Sequence, residues 1–203
     1  MNEPLPTPFN ESFKNLYGSF GHRFAALLLD GLFLTPLIVI SAILNSVNLT
    51  NFYITLPLTN LISLFYYIYL PVKYGATPGK LLMNMQILKI DGTAINYKDA
   101  FLRNLPSLVL ALTALVTNVI AVTRADADFY NSAKFMEQSN YISSLNPKMF
   151  YSQLGLTYIF LFTSLILFLT NSRKRSISDF SGNTVVVYKH QLKKIEDFKK
   201  KQI

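Results

Sequence analysis

The apolar residues of this chain are gathered into four long runs that polar stretches separate. The runs cover residues 24–44, 52–70, 105–123 and 154–170. A helix needs about 20 mostly apolar residues to cross the hydrocarbon core of a membrane, which is about 30 Å thick. The pattern therefore predicts four membrane-spanning helices, of which the fourth is short.

Three prolines bear on these predicted helices. Pro36 and Pro57 lie inside the first and second runs, where a membrane helix tolerates proline and kinks. Pro106 lies at the start of the third run. A proline in the first turn of a helix costs little, because its missing N–H would have no partner there. We therefore expect the third helix to begin at about this residue.

The polar stretches predict smaller elements. Asp91-Gly92 lies between two β-prone runs within residues 85–97, which is a strong signal for a β-hairpin. Residues 184–188, TVVVY, form a further β-prone run. A lone hairpin is marginally stable in water, so we expect the three runs to form a small three-stranded sheet.

A short helix is expected between the third and fourth spans, within residues 124–153. Asp126 or Asp128 would cap its N-terminus. The residues expected on its apolar face are Phe129, Ala133 and Met136. Two roles for this connection stay open, a lid or a linker that lies on the membrane surface.

Lysine and arginine are unevenly distributed among the connections. Nine lie in residues 171–203, five in 71–104 and two in 1–23, whereas 124–153 has three and 45–51 has none. Basic residues accumulate on the cytoplasmic side of membrane proteins. The predicted fold class is therefore an all-α, four-transmembrane-helix bundle of the cell inner membrane, with both termini and the small sheet in the cytoplasm.

The predicted organisation has three parts: a cytoplasmic segment at 1–23, a membrane domain at 24–188 and a basic tail at 189–203. The lysines that end the tail are Lys193, Lys194, Lys199, Lys200 and Lys201. Basic residues beside a membrane are attracted to anionic lipid by about 1 kcal/mol each. We therefore expect the lipid bilayer and its anionic headgroups as partners, and no nucleic acid.

The composition narrows the possible chemistry. The chain has no cysteine, which excludes disulfides, thiolate catalysis and cysteine-bound zinc. With His22 and His190 as its two histidines, a histidine-based metal site is not expected. No Ser/His, paired-Asp or metal-ligand grouping occurs at a catalytic spacing. We expect no cofactor and no enzymatic activity.

Asp30 is the most informative residue, because it lies about 10 Å into the first span. A carboxylate at the centre of a membrane helix costs roughly 2.5–3.5 kcal/mol. Arg23 lies too far along the same helix to pair with it. Unless Asp30 is protonated, we expect a donor from another element, namely Arg103, Lys80 or Asn118. Two interpretations stay open: Asp30 binds a cation or carries a proton, or it forms a fixed interhelical pair.

Three further polar residues are candidates. Asn60 and Asn118 are amides inside the second and third spans. They are expected to hydrogen-bond between helices, or else to line an aqueous path with the carboxylate of the first span. Asp179 follows a basic run and is expected to cap a short helix and form a salt bridge. Alternatively, it gates a cytoplasmic mouth with Arg23 or Arg103.

A turn-like motif follows the second span. Its members are Gly75, Thr77, Pro78, Gly79 and Lys80. A nucleotide-binding Walker A loop has the pattern G-x-x-x-x-G-K-[ST]. Here the glycines are one residue too close, and Leu81 follows the lysine. We therefore expect a tight turn, with Lys80 at the lipid headgroups.

Three stretches together resemble the RDD family of bacterial membrane proteins, which is named after one arginine and two aspartates. The stretches are the R-x-x-A-x-x-x-D pattern from Arg23 to Asp30, the glycine turn followed by Arg103-Asn104, and the D-x-x-x-x-T-x-V pattern that starts at Asp179. The resemblance implies a multi-pass membrane protein. Small-ion or proton-coupled transport, suggested for some members, is the activity it implies.

Two functions follow as hypotheses. The first is transport that uses Asp30, which would require a homo-oligomer because four helices form a narrow bundle. The alternative is a non-catalytic membrane scaffold or assembly partner.

Overall fold

The computed structural model describes residues 4–6 and 15–200, with the side chains of Phe198 and Lys199 excepted. Parts of the predicted terminal segments, 1–23 and 189–203, lie outside these residues. Two of the basic residues that were counted for the orientation, Lys14 and Lys201, also lie outside the described residues.

The described chain is mostly helical. In order, its elements are α1 (Phe20–Val47), α2 (Phe52–Leu64), α3 (Leu70–Tyr74), α4 (Pro78–Leu82), β1 (Met85–Lys89), α5 (Tyr97–Arg124), α6 (Ala127–Ser132), α7 (Phe135–Ser144), α8 (Pro147–Thr170), α9 (Ile177–Ser181), β2 (Thr184–Tyr188) and α10 (Leu192–Lys200). A π-helical segment, Phe65–Tyr69, joins α2 to α3.

Among the described residues, four helical stretches are long and apolar enough to cross a membrane. They are Phe20–Val47, Leu49–Tyr74, Tyr97–Arg124 and Pro147–Thr170. Each contains one of the four apolar runs, so the predicted number of spans is confirmed. Large apolar side chains such as Leu32, Ile159 and Phe162 are exposed along these helices, as expected for side chains that contact lipid.

The helix of the third span begins earlier than predicted. It starts at Tyr97, because Asn96 and Asp99 each accept a hydrogen bond from the backbone N–H of the other, at 3.0 and 2.9 Å. Pro106 therefore lies inside α5, and the prediction that it starts the helix is wrong. Because proline has no N–H, it leaves the Leu102 carbonyl without its helical donor. The Ser181 hydroxyl donates to that carbonyl at 2.8 Å.

The connection between the third and fourth spans has two helices in place of one. Asp126 caps α6 by accepting from the Phe129 N–H at 2.9 Å. The chain is extended at Ala133, and α7 then begins where Glu137 accepts from the Lys134 N–H at 3.0 Å. The single predicted helical face across this stretch is therefore broken. The following helix, α8, starts at Pro147, earlier than the apolar run.

The sheet has two strands. β1 and β2 pair antiparallel, with Ile87 opposite Val186. The Asp91-Gly92 turn forms as predicted, with Gly92 at φ 74°. The third predicted strand is reduced to one bridge, between Leu88 and Ala94, because the chain must leave the sheet to reach the cap of α5.

The described chain forms two compact units. The first comprises the described residues within Met1–Phe33, Phe65–Pro106 and Phe162–Ile203, and the second comprises Leu34–Leu64 and Ser107–Leu161. In the first unit both faces of β2 are buried, with Val185 and Val187 in one apolar cluster and Val186 in another. The second unit has its own cluster, which includes Leu49, Val122 and Tyr130.

Candidate functional site

The Asp30 carboxylate is the centre of the candidate site. It is 1% exposed, although it belongs to a candidate membrane span. Its Oδ1 accepts from the Tyr66 hydroxyl and from the Gly79 N–H, each at 2.7 Å. Its Oδ2 accepts from the Thr77 hydroxyl at 2.7 Å and from Lys80 Nζ at 3.4 Å. Among the three predicted partners, the structure therefore brings Lys80 to Asp30.

The glycine turn delivers three of these four donors. Gly75 ends α3 with a left-handed backbone, φ 85°, a conformation that glycine adopts without strain. Thr77 then occupies the N-cap position of α4 with an extended backbone, and Pro78 follows in the first turn. These backbone conformations point the Gly79 N–H and the Thr77 hydroxyl toward α1.

Gly79 lies directly against the backbone of α1. A Cβ at this position would overlap the Ala26 carbonyl oxygen and lie 2.7 Å from Asp30 Oδ1. Ala26 itself is fully buried. Arg23, Ala26 and Asp30 are three and four residues apart, so they share a face of α1. Ala26, the small residue between Arg23 and Asp30, leaves the space that the turn around Gly79 occupies.

Gly79→Ala is expected to destabilise the protein strongly, because the added Cβ meets backbone that cannot move aside. The measurement is the midpoint of thermal unfolding in detergent. Gly31→Ala is the matched control, since it lies beside Asp30 on α1 and a Cβ there meets nothing within 4 Å. Equal midpoints for the two variants would contradict the close approach.

The Tyr66 hydroxyl reaches Asp30 from the π-helical segment. Such segments insert one residue into a helical turn and occur often at functional sites. Here the segment separates α2 from α3 and turns a buried tyrosine toward α1. Sequence reasoning missed Tyr66, because the run FYYIY has the same apolar composition as an ordinary helix.

Lys80 is the predicted partner that the structure brings to Asp30. Its ammonium lies near the Asp30 carboxylate and donates to the Thr77 hydroxyl at 3.1 Å. Its position at the lipid headgroups stays a prediction. Its side chain is 19% exposed. Burial lowers the pKa of Lys80, and the Asp30 carboxylate partly opposes that effect. The lysine is thus a partly exposed cation beside a buried carboxylate.

Asp179 forms a second buried centre in the same unit. It is fully buried and forms salt bridges with Arg23, at 2.6 Å, and with Arg103. Its Oδ2 also accepts from the N–H of Ser176 at 3.0 Å, within the capping box of α9. This geometry agrees with the cap-and-salt-bridge interpretation. Burial raises the pKa of Asp179, but the Arg103 and Arg23 guanidiniums outweigh it and hold the pKa well below its usual range.

Thr184 and Arg175 complete this centre. Arg103 donates to the Thr184 hydroxyl at 2.6 Å, and Arg175 donates to the Thr184 and Asp179 backbone carbonyls at 3.1 and 3.0 Å. Burial lowers the pKa of Arg175, and nearby Asp179 opposes that change. The D-x-x-x-x-T spacing was the sequence signal for Thr184. The role of Arg175 had no signal beyond its place in a basic run.

The two amides of the second and third spans lie in the second unit. Asn60 donates to the Leu56 carbonyl at 2.7 Å and Asn118 to the Ala114 carbonyl at 2.8 Å, each within its own helix. No hydrogen bond among the described residues joins either amide to Asp30. An aqueous path that includes all three residues stays a prediction.

One protein-family model matches this chain. The RDD family model matches residues 17–183, a range that contains both buried carboxylates and every side chain bonded to them. No curated protein and no solved structure matches the chain. Because the family model covers most of the chain, this protein is a member of the RDD family of integral membrane proteins.

Proposed function

We propose that this protein transports a small cation or protons across the membrane, with Asp30 as the group that binds them. The observation that carries the proposal is the setting of Asp30, a fully buried carboxylate on a candidate membrane span with four donors around it. Ionisable groups inside membrane spans are costly and mark ion or proton pathways. The π-helical segment beside Asp30 supports the same conclusion.

Lys80 is the exchangeable contact in this proposal. Its distance to Asp30 Oδ2, 3.4 Å, is the longest of the four contacts, and its side chain is partly exposed. A small cation or a proton that arrives at Oδ2 would replace the ammonium as the positive partner of the carboxylate. The Tyr66, Thr77 and Gly79 donors would hold the carboxylate in place while Lys80 withdraws.

Ion flux in proteoliposomes tests the proposal, under imposed Na⁺, K⁺ and pH gradients. The informative variant is Asp30→Asn with Lys80→Met, which removes both charges and leaves the net charge unchanged. We expect the flux of this variant to fall from the wild-type level to the background of empty vesicles, because no charged group remains to bind the cation or proton. Unchanged flux would contradict the proposed role of Asp30.

The matched control removes a different ion pair of the first unit. Lys89 Nζ lies 3.1 Å from Asp99 Oδ2, and both residues lie outside the Asp30 site. Lys89→Met with Asp99→Asn makes the same chemical changes, so flux near the wild-type level is expected. Four spans form a narrow bundle, so the proposal includes a homo-oligomer, which the mass of the detergent-solubilised protein measures.

The proposed location is the cell inner membrane, with both termini in the cytoplasm. Two observations support this orientation: the excess of basic residues in 1–23, 71–104 and 171–203, and the presence of most of these residues in one compact unit. The natural chain has no cysteine, so single cysteines report location directly. In intact cells, an impermeant thiol reagent should label Ser144→Cys but not Lys98→Cys, and the reverse pattern would overturn the orientation.

The basic tail is proposed to contact anionic headgroups. In α10, Ile195 is buried against the first unit while Lys193 is exposed. One side of this helix therefore packs on the protein, while Lys193, Lys194 and Lys200 are exposed. Each juxtamembrane lysine adds about 1 kcal/mol of attraction to an anionic surface.

A non-catalytic scaffold is the second candidate function. The observation that favours it is the complete pairing of both buried carboxylates inside the protein, which also describes a fixed structural centre. Under this alternative, folded wild-type protein has no flux under any gradient and a partner protein co-purifies in mild detergent. Neither function requires an enzymatic step.

A further inference from the structure

The second unit contains an open cavity of about 560 Å³, within the size range of pockets that hold small molecules. The described residues that line it include no aspartate, glutamate, lysine, arginine or histidine. Its polar groups are amides and hydroxyls, and its apolar groups include aromatic rings. A site without charge disfavours ions and favours an uncharged guest.

The amide groups of the cavity present acceptors. Gln138 is 3% exposed, and its Nε2 donates to the Ser46 and Tyr130 carbonyls at 3.1 and 3.0 Å. Two carbonyl partners fix the NH₂ on that side. The Oε1 atom is left buried without a partner in the described protein. An unpaired buried acceptor costs about 1–3 kcal/mol, and a small turn of the side chain toward a bound donor would remove that penalty.

Two neighbouring amides have the same arrangement. Gln153 donates from Nε2 to the Leu110 carbonyl at 3.1 Å, and Asn118 donates from Nδ2 to the Ala114 carbonyl at 2.8 Å. Their oxygens accept no hydrogen bond from the described residues. The residues that line the cavity therefore include three amides whose oxygens accept no hydrogen bond from the described protein, and no fixed positive charge, a set that suits a guest with several O–H donors.

Aromatic side chains supply the other half of the recognition. Phe52 and Tyr130 both line the cavity, and their rings pack edge to face with centroids 5.9 Å apart. Phe135 and Phe150 line it as well. Aromatic rings bury large apolar surface and suit the C–H faces of a molecule whose hydroxyl groups point elsewhere.

We propose that this cavity binds a small, uncharged polyhydroxy compound, a sugar or a polyol. Amide oxygens accept from its hydroxyl groups, and the aromatic rings cover its C–H faces. All of its lining residues belong to the second unit, whereas Asp30 and the groups bonded to it belong to the first.

Equilibrium binding of glucose, sorbitol and sucrose to the purified full chain in detergent tests the proposal. Two variants act on the cavity in different ways. Asn118→Leu removes one acceptor, and Ala114→Leu fills space without removing a hydrogen bond. Asn60→Leu is the matched control, because Asn60 makes the same bond to its own helix and does not line the cavity.

We expect saturable binding of at least one of the three probes to the wild type. The affinity should fall about fivefold or more in both cavity variants, because Asn118→Leu removes a hydrogen bond to the probe and Ala114→Leu occupies the space of the probe. It should stay unchanged in Asn60→Leu. Three results would overturn the proposal: no probe binds folded wild type, both cavity variants bind as wild type does, or gluconate or glucosamine binds equally well. If one cavity variant fails to fold, the other decides.

Discussion

Asparagine in place of Asp30 is expected to lower the free energy of unfolding by about 3–5 kcal/mol, the range for removing one partner of a buried ion pair. Each carboxylate oxygen faces a hydroxyl, which can rotate to accept, and a group that only donates. The donor-only groups are the Gly79 N–H at Oδ1 and the Lys80 ammonium at Oδ2. Because the asparagine NH₂ must point at one of them, two donors oppose each other in a buried site.

Adding Lys80→Met to Asp30→Asn should restore most of this stability. The asparagine oxygen then accepts from Tyr66 and Gly79, while its NH₂ donates to the Thr77 hydroxyl. The site keeps its shape and loses its charge, as happens when a buried ion pair is replaced by neutral groups of similar volume. Thermal unfolding in detergent should therefore rank the wild type and the double variant above Asp30→Asn.

The matched pair at Lys89 and Asp99 serves as the control for this ranking. These two side chains are 31% and 18% exposed. Both partners of this pair keep contact with water, whereas Asp30 is buried, so we expect the pair to contribute little. Lys89→Met alone should therefore shift the midpoint little. The opposing result is a double variant that is no more stable than Asp30→Asn alone. It would show that the unpaired charge of Lys80 does not cause the loss of stability in Asp30→Asn.

The four membrane spans were predictable because the membrane imposes both their length and their composition. Backbone groups in hydrocarbon must be paired, so a long apolar run has to form a helix. The helix ends were not predictable from hydropathy. α5 begins at Tyr97 because Asn96 and Asp99 cap it, and such caps depend on side-chain hydrogen bonds in a polar stretch. Pro106 then fits inside the helix because Ser181 supplies a donor from far along the chain.

The charged residues of the site were recognisable, whereas their pairing was not. Arg23 and Asp30 share a helix face, and their spacing correctly predicts that they do not pair with each other. Which carboxylate each arginine meets depends on how α9 packs, since Arg23 and Asp179 are 156 residues apart. Tyr66 shows a deeper limit, because a π-helical segment changes which face a side chain occupies without changing the apolar pattern. The sequence therefore predicts Asp30 and its lysine partner, but not the tyrosine hydroxyl that completes the site.

Asp179→Asn is also expected to lower the free energy of unfolding, by about 3–5 kcal/mol. The substitution leaves Arg23 and Arg103 buried beside a neutral amide whose NH₂ must face one of their guanidiniums. Arg175 stays bonded to backbone carbonyls nearby and adds positive charge. Accumulation in the membrane and the unfolding midpoint in detergent measure the effect. Arg103 in α5 and Asp179 in α9 tie two elements together, so the cap of α9 alone cannot replace this contact.

The pH dependence of this difference identifies the carboxylate as its source. Since the pKa of Asp179 is lowered in the folded protein, its contribution to stability is complete above the ordinary aspartate pKa of about 3.9 and is lost as pH falls through the lower folded value. The gap between wild type and Asp179→Asn should therefore be equal at about pH 7 and about pH 5, and should narrow only below about pH 4. A gap that already narrows between neutral and mildly acidic pH would mean that another group, not Asp179, holds the arginines in place.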